Sequence, residues 1–171
     1  MDRVGQPLRL KARDGEDLKV LAACLQDSIL PLADMAWLRQ ERRLVMVLNR
    51  FMWERAGDAE PGRPADLPEP EGDADFAEAL PEPHFQRTNC AFTVERVRAV
   101  ATCNLSPGET SRLLVLLTLT WQRPYLLLTF ADGVSVRVTA DELHCRMEDL
   151  GEPWPTWSLP RHDLDGPPPS G

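Results

Sequence analysis

Residues 113–138 read LLVLLTLTWQRPYLLLTFADGVSVRV and decide the fold of this chain. The stretch contains three largely apolar runs of strand length, at residues 113–121, 125–130 and 134–138. Asp132-Gly133 separates the last two runs and is a strong signal for a two-residue hairpin turn. The first run is apolar on both faces at its start, which is typical of a central strand. We therefore expect an antiparallel sheet with this run inside it.

Similar strands are predicted on the N-terminal side of this stretch. Alternating runs at residues 32–39 and 43–50 are joined by the short connection Gln40-Glu41-Arg42, and two further runs lie at 89–95 and 97–105. Residues 8–12 also alternate like a half-buried strand. Between that strand and the first hairpin, Asp14 can cap a helix whose apolar stripe is formed by Leu18, Leu21, Ala22 and Leu25.

A closing helix is predicted at residues 139–151. Thr139 followed three residues later by Glu142 is typical of a capping box, and Gly151 is a common helix stop. The apolar residues at helical spacing are Ala140, Leu143, Met147 and Leu150. The fold class is therefore α+β, with a mostly antiparallel sheet of seven to eight strands, an N-terminal helix and a closing C-terminal helix. A curved open sheet and a pleckstrin-homology-like barrel share this element order, so both stay open.

An acidic, proline-rich segment at residues 56–84 interrupts the periodic sequence. It holds six prolines, nine carboxylates and one arginine, so its formal charge of −8 equals that of the whole chain. Because apolar residues are few and without period, burial cannot offset the entropy of ordering them. We expect residues 1–55 and 85–163 to form a single α+β domain, with 56–84 as an inserted loop and 164–171 as a disordered tail.

The composition is that of a globular protein without a targeting or membrane segment. The longest apolar run, residues 113–117, is far shorter than the roughly 20 residues of a membrane span, and the start of the chain lacks the apolar core of a secretory signal. We therefore expect a cytoplasmic protein that does not bind membranes. Its cysteines are widely spaced, which favours reduced thiols over disulfides or zinc ligands: Cys24, Cys90, Cys103 and Cys145.

The sequence contains no set of residues typical of catalysis. His144 and Glu148 would share one face of the closing helix, but two ligands without a third do not make a metal site. Neither a nucleophile elbow nor a phosphate-binding glycine loop is present. We expect no catalytic residue, no metal and no cofactor, and the balance of features leans away from an enzyme.

Two regions have residue types that are common in binding sites. Arg39, Arg42 and Arg43 cluster at the tip of the first predicted hairpin, but the acidic segment would repel phosphate overall, so we expect no nucleic acid. The other region is the proline-framed aromatic tail, whose candidate partner-binding residues are Trp154, Trp157, Arg161 and His162. Tryptophan and arginine are enriched in interaction hot spots. These residues either bind a partner or pack back on the sheet and complete the core.

Several short motifs occur together in this chain: Leu25-Gln26-Asp27-Ser28, Leu48-Asn49-Arg50-Phe51, Phe130-Ala131-Asp132-Gly133 and Asp149-Leu150-Gly151. Their joint order, from about Leu8 to Asp163, resembles an uncharacterised, mainly alphaproteobacterial family classed as a domain of unknown function. The resemblance implies a small cytosolic bacterial protein and supplies no activity. It leaves the role of four motif residues unknown: Gln26, Asp27, Asn49 and Arg50.

Our leading functional hypothesis is a non-enzymatic protein-interaction module, with another protein as its partner. The alternative is a small-molecule-binding or metal-dependent enzyme whose site is assembled from dispersed residues. A deep pocket lined by convergent polar groups would favour the enzyme. An open sheet edge or a flat apolar patch would favour the interaction module. The sequence does not predict the oligomeric state.

Overall fold

A computed structural model describes residues 7–55, 85–106 and 108–156. Within them the chain forms one α-helix, α1 at Gly15–Leu25. The strands of these residues are β1 Arg9–Ala12, β2 Ile29–Pro31, β3 Met35–Leu38, β4 Arg43–Phe51, β5 Phe85–Val94, β6 Val97–Cys103, β7 Leu113–Gln122, β8 Tyr125–Phe130, β9 Ser135–Ala140 and β10 Cys145–Thr156. Short 3-10 turns lie at Leu32–Asp34, Trp53–Arg55 and Ala131–Gly133.

The strands form one mostly antiparallel sheet in the order β1-β10-β5-β4-β2-β7-β8-β9-β6, with β3 paired to β4 beside this path. The path has two ends, β1 and β6, so the described strands form an open sheet and not a closed barrel. The prediction of a mostly antiparallel sheet with an N-terminal helix is confirmed. The strand count is ten and not seven to eight, because the sequence reading missed the three-residue β2 and the whole of β10.

The stretch that decided the fold forms three neighbouring strands. β7 lies between β2 and β8, inside the sheet as predicted. β8 and β9 pair as a hairpin in which Thr129 lies opposite Ser135. Asp132 and Gly133 both have positive φ angles, of 63° and 71°, which is the conformation that a two-residue hairpin turn requires and that Asp-Gly tolerates.

Helix α1 begins where its capping residue predicts. The side chain of Asp14 accepts a hydrogen bond from the backbone N–H of Asp17 at 2.8 Å, and Asp17 accepts one from the N–H of Arg13 at 3.2 Å. This reciprocal pair satisfies two backbone donors at the start of the helix. The apolar stripe of the helix is buried at Leu18, Leu21 and Leu25. The helix ends well before Pro31, because Asp27 takes a left-handed conformation with φ of 62°.

The closing helix predicted at residues 139–151 is wrong, because this stretch completes β9 and begins β10. Burial alternates along it, with the inward residues Leu143, Cys145, Met147 and Asp149 all buried. Asp149 is charged although it faces inward, so the alternation of apolar and polar residues is not visible in the sequence. The apolar residues that remain, Leu143, Met147 and Leu150, happen to have helical spacing. Tertiary pairing with β1 and β5 then decides the conformation.

Leu143 and Met147 are nevertheless buried, as expected. Met147 lies opposite Leu10 on β1 and Phe92 on β5, so it faces the core from the middle of three strands. The core is one cluster that takes side chains from α1 and from strands in both halves of the sheet. Full burial of each large apolar side chain contributes about 1.5–3 kcal/mol.

The strands on either side of residues 56–84 are direct neighbours in the sheet. β4 pairs with β5 from Leu44 opposite Val94 to Phe51 opposite Arg87. The predicted acidic loop itself and the predicted tail at residues 164–171 lie outside the described residues, so both stay predictions. Among the residues that the structure describes, no helix is long and apolar enough to cross a membrane.

Candidate functional site

The motif residue Arg50 lies at the centre of a buried ionic network. Its side chain is fully buried, and its Nε and Nη2 donate hydrogen bonds to the two carboxylate oxygens of Asp149 at 2.7 and 2.6 Å. Glu54 accepts two more hydrogen bonds, from Nη1 at 3.0 Å and from Nη2 at 2.6 Å. One guanidinium therefore binds two carboxylates in bidentate geometry, the arrangement that makes such bonds strong and directional.

The register of three strands brings this network together. Arg50 on β4 lies opposite Thr88 on β5, and Cys90 on β5 lies opposite Asp149 on β10. Residues opposite each other in antiparallel strands point to the same face, and alternate residues of one strand share a face. Arg50, Thr88, Cys90 and Asp149 therefore share the inner face of the sheet, and all four are buried.

Burial and hydrogen bonding shift the pKa values of Arg50 and of two thiols close to it. Burial opposes the charge of Arg50, but hydrogen bonds to Asp149 and Glu54 outweigh it, so its pKa lies above the usual arginine value. Burial raises the pKa of the Cys90 thiol to about 12, and burial also raises the pKa of Cys24. Both thiols are therefore protonated at neutral pH. A protonated thiol is a poor nucleophile.

The motif residues Gln26 and Asp27 lie in the connection that follows α1. The backbone carbonyl of Gln26 accepts a hydrogen bond from the indole nitrogen of Trp53 at 3.1 Å. The backbone N–H of Asp27 donates to the carbonyl of Leu116 on β7 at 2.8 Å. This connection therefore ties the end of β4 to the centre of the sheet.

The neighbouring Ser28 is fully buried. Its hydroxyl has no hydrogen-bond partner within residues 7–55, 85–106 and 108–156.

The fourth motif residue, Asn49, points to the opposite face of β4. Its side-chain oxygen accepts a hydrogen bond from Nη1 of Arg87 at 3.1 Å. The Arg87 guanidinium lies 5.8 Å from the centre of the Phe51 ring, which also contacts the rings of Trp53 and Phe85 at 4.6 and 5.7 Å. Burial lowers the pKa of Arg87, and the charge of Asp27 opposes that shift.

All four motif residues thus lie at one end of the sheet, around the point where β4 ends. The sequence pointed to them through the family resemblance but did not show that Arg50 binds Asp149, which is 99 residues away. Every donor group of the Arg50 guanidinium has an acceptor, including the carbonyl of Phe51 at 3.4 Å. A network of this kind stabilises and orients the strands, and it leaves no N–H of the Arg50 guanidinium to bind a ligand.

The arrangement around His144 also differs from the prediction. His144 and Glu148 do not lie on adjacent helical turns, because β10 is a strand and residues four apart in a strand are separated by about 13 Å. Nε2 of His144 lies 3.3 Å from Glu142, and Glu148 pairs with Arg9 at 2.9 Å. Among the described residues, no group of three or more His, Cys, Asp or Glu side chains is placed to hold a metal ion.

Trp154 is the single tail candidate that lies within the described residues. It is half-buried in β10 and lies opposite Arg87 of β5, so this tryptophan belongs to the sheet. Trp157, Arg161 and His162 lie outside the described residues, and their role as partner-binding residues stays a prediction.

A second candidate site is the free edge of β6, which the sequence reading did not identify. Within residues 7–55, 85–106 and 108–156, β6 pairs with one strand, β9, and has no strand on its other side. Residues Arg98, Ala99, Ala101, Thr102 and Cys103 of this strand are exposed, and Arg98 is its one charged residue. The side chain of Arg98 forms an ion pair with Asp141 at 2.8 Å. The sequence feature that could have indicated this edge is the run at residues 97–105, which contains a single charged residue.

A groove of about 580 Å³ runs beside the first half of β6. Its other wall is the β3–β4 hairpin. The hairpin meets the start of β6 through two hydrogen bonds: the N–H of Val97 donates to the carbonyl of Arg42 at 2.8 Å, and Nε of Arg42 donates to the carbonyl of Val97 at 3.5 Å. The residues that line the groove are Trp37, Arg39, Arg42, Val97, Arg98, Ala99 and Val100.

Comparison with known proteins identifies one family. The family model described as "Protein of unknown function (DUF2948)" matches residues 8–162. No curated protein and no solved structure matches the chain.

Proposed function

Because the chain belongs to the DUF2948 family of proteins of unknown function, we propose its function from the geometry of the sheet. The protein is a non-enzymatic interaction module, and it binds by adding an extended segment of a partner protein to the free edge of β6. The single observation that carries this proposal is that β6 is a long, exposed and nearly uncharged edge strand.

An edge strand presents a row of backbone N–H and C=O groups to any other extended chain. Native proteins usually prevent such pairing with very short edge strands, charged residues, prolines or a covering element. The run from Arg98 to Cys103 contains no proline and no lysine. In strand addition, backbone hydrogen bonds provide affinity and alternate side chains provide specificity. A six-residue run of about 20 Å is long enough for a short peptide to pair along it.

The side chains of β6 also favour a partner that lies alongside it. Ala99 and Ala101 are exposed and small, so they leave room for the side chains of an added strand. Val100 packs against the core from the other face and holds β6 in place. The bulge between Val97 and Ala99 twists the first part of the strand, which directs pairing to the residues that follow it.

The proposal is tested with a random peptide library displayed on phage and selected against the full-length protein. We expect selected peptides to be extended and alternating in pattern. Bound peptide should slow hydrogen exchange at alternate backbone amides of residues 98–103, because every second N–H of this strand points away from β9 and gains a partner. The variant Ala99→Lys/Ala101→Lys should lose at least about tenfold in affinity, since lysines on an edge strand oppose pairing.

A matched variant places the same number of lysines on the outer face of another strand, at Val45 and Val47 of β4. Both positions are half-buried and lie opposite Thr93 and Ala91 within the sheet. Peptide affinity should stay within about twofold in that variant. Protection that maps to residues other than 98–103, or affinity that survives the two β6 lysines, would reject strand addition at β6.

A further inference from the structure

We infer that the segment added to β6 is acidic, with carboxylates that bind Arg39 and Arg42 at the β3–β4 hairpin. This inference rests on the proposed strand addition and specifies the chemistry of the partner. It uses the groove between β6 and the hairpin, where the lining residues that the structure describes include three arginines and no carboxylate.

The two hairpin arginines differ from their neighbours in having no acidic partner. Neither Arg39 nor Arg42 forms an ion pair within the described part of the chain, whereas Arg43 beside them contacts Glu41 at 3.6 Å and Glu95 at 3.9 Å. Other arginines of the described residues are paired in the same way: Arg9, Arg50, Arg96, Arg98, Arg112 and Arg146. Arg13, Arg123 and Arg137 also lack an ion pair within the described residues, but Arg39 and Arg42 are the two unpaired arginines that line this groove.

The geometry places these charges beside the added strand. The backbone bond from Val97 to Arg42 fixes the hairpin tip against the first residue of β6. A segment that pairs with residues 98–103 must therefore begin or end next to the tip. Side chains two positions apart on a strand point to the same face and lie about 7 Å apart. Two carboxylates at alternate positions of the segment can then each contact one arginine.

Trp37 adds a second recognition element to the same wall of the groove. It is half-buried and packs partly against the core, and part of its surface lines the groove. An aromatic wall beside arginines suits a segment that alternates apolar and acidic residues. Tryptophan and arginine together are the residue types most enriched in binding hot spots.

The test uses three synthetic peptides of one length that alternate valine with glutamate, lysine or serine. Each carries a fluorophore, and its binding to the full-length protein is followed by anisotropy. We expect the glutamate peptide to bind about three- to tenfold more tightly than the serine peptide and the lysine peptide to bind most weakly, because exposed ion pairs are each worth about 0.2–1 kcal/mol. The advantage should shrink in 1 M salt, where the screening length is about 3 Å.

Two variants separate the local charges from the net charge of the protein. Arg39→Gln/Arg42→Gln should remove the glutamate advantage and leave the affinity for the serine peptide unchanged. Arg9→Gln/Lys11→Gln removes two positive charges from β1, at the other edge of the sheet, and should leave the advantage intact. If both variants reduce the preference for the glutamate peptide equally, that preference comes from the net charge of the protein and not from arginines in the groove.

The outcomes distinguish this inference from the proposed function. If all three peptides bind at β6 with equal affinity, strand addition stands and the acidic preference is wrong. If none binds, or if binding of the uncharged serine peptide is indifferent to Ala99→Lys/Ala101→Lys, the proposed function itself fails. Tighter binding of an oligothymidylate that is lost in Arg39→Gln/Arg42→Gln would identify a nucleic-acid groove and overturn the inference.

Two other occupants are tested in the protein without added peptide. Ala101→p-benzoylphenylalanine places a photo-crosslinker on the exposed face of β6. A stoichiometric crosslink to residues 56–84 of the same chain would mean that the groove is filled by the protein's own acidic segment. A crosslink to β6 of a second copy would mean that the edge forms a dimer. In the free protein we expect no crosslink to a second copy and at most a minor one to residues 56–84 that is lost at high salt, and we expect an acidic-peptide crosslink once the glutamate peptide is present.

Discussion

The Arg50 network and the β6 edge are two polar regions of one sheet, and they differ in whether their hydrogen-bonding groups are already satisfied. Around Arg50, the guanidinium, two carboxylates and a backbone carbonyl bind one another in the interior. Along β6, the residues after Val97 have no neighbouring strand on one side in the described sheet, and the nearby Arg39 has no ion-pair partner there. Family motif residues mark the first region, yet the second has the groups that are available to a ligand.

The Arg50 network is a cluster of motif residues whose interactions are structural. Taking two charges out of water is costly, and a buried pair recovers that cost only with good geometry and extra hydrogen bonds. Arg50 meets this condition, so the network stabilises one register of β4, β5 and β10. An unpaired edge, in contrast, is a liability that selection removes unless it has a use.

The largest expected effect is on the stability of the Arg50 region. Arg50→Ala leaves the carboxylate of Asp149 buried without its partner, so we expect a loss of about 3–5 kcal/mol in the free energy of unfolding. The matched change is Arg96→Ala, which removes an exposed arginine 2.7 Å from Glu142. That variant should lose no more than about 1 kcal/mol. Urea unfolding of both proteins measures the difference, and similar losses would contradict a structural role for the network.

The second prediction compares β10, inside the sheet, with β6, at its edge. Met147 is 1% exposed, and Met147→Ala should cost about 2–5 kcal/mol because it opens a cavity in the core. Val100→Ala on β6 should cost about 1 kcal/mol, since that side chain is only half-buried. Equal costs in urea unfolding would mean that β6 is as deeply integrated as β10 and is not available for a partner.

β10 also shows where prediction from sequence reached its limit. The helix α1, the hairpin at Asp132 and most strand positions follow from capping residues, turn residues and alternation, which are local signals. In β10 the local signal is misleading, because Asp149 is charged and faces inward. Its inward position is stabilised by Arg50, which is 99 residues away in the chain. No local pattern can predict a pair of that kind.

The candidate site was predictable in part for the same reason. The family resemblance selected Gln26, Asp27, Asn49 and Arg50, and the fold brings them to one end of the sheet. The β6 edge was missed because a strand's sequence does not say whether it has neighbours on both sides. The sequence predicted a cluster of arginines at the hairpin tip. Their position beside β6 was not predictable, because it depends on a contact between Arg42 and Val97 that only the tertiary fold creates.

The third prediction concerns alkaline pH and the buried thiols. Burial raises the pKa of both Cys90 and Cys145 from 9.0 to about 12. The folded state therefore holds these protons more tightly than the unfolded state, so the stabilisation is complete below pH 9 and is lost as the pH rises towards 12. Each thiol should contribute about 1.4 kcal/mol of loss per pH unit in that window. Urea unfolding of the wild type between pH 8 and 11 should show little change near pH 8, and the slope should approach this value above about pH 10.

The double variant Cys90→Ala/Cys145→Ala is the control for the third prediction. Its unfolding free energy should fall less steeply above pH 9, whatever its stability at neutral pH.

Thiol labelling gives an independent comparison of the exposed β6 edge with the buried Arg50 region. The exposed Cys103 on β6 should react with a thiol reagent in the folded protein, whereas Cys90 and Cys145 should react only after unfolding. Rapid labelling of Cys90 in the folded state would contradict a closed Arg50 region.

The smallest expected effect comes from deleting residues 56–84, which tests whether the Arg50 region is complete without them. The strands that flank this segment already meet, because Phe51 lies opposite Arg87 and the N–H of Met52 donates to the carbonyl of Gln86 at 2.9 Å. A few Gly/Ser residues can therefore join Arg55 to Phe85. The entropy of loop closure changes by only about 0.6 kcal/mol for each halving of loop length, so the melting temperature should move by a few degrees.

The deletion also removes the whole net negative charge of the chain. If the tethered acidic segment transiently visits the basic groove, its removal should strengthen low-salt binding of the glutamate peptide to Arg39 and Arg42, because a competitor at high effective concentration is lost. Exposed pairs of this kind are weak and screened by salt, so the gain should be a few-fold and should vanish at high salt. A deletion variant that fails to fold would show instead that residues 56–84 belong to the core. The division of the chain into a domain and an inserted loop would then be wrong, and Arg50 would need that segment to be shielded from water.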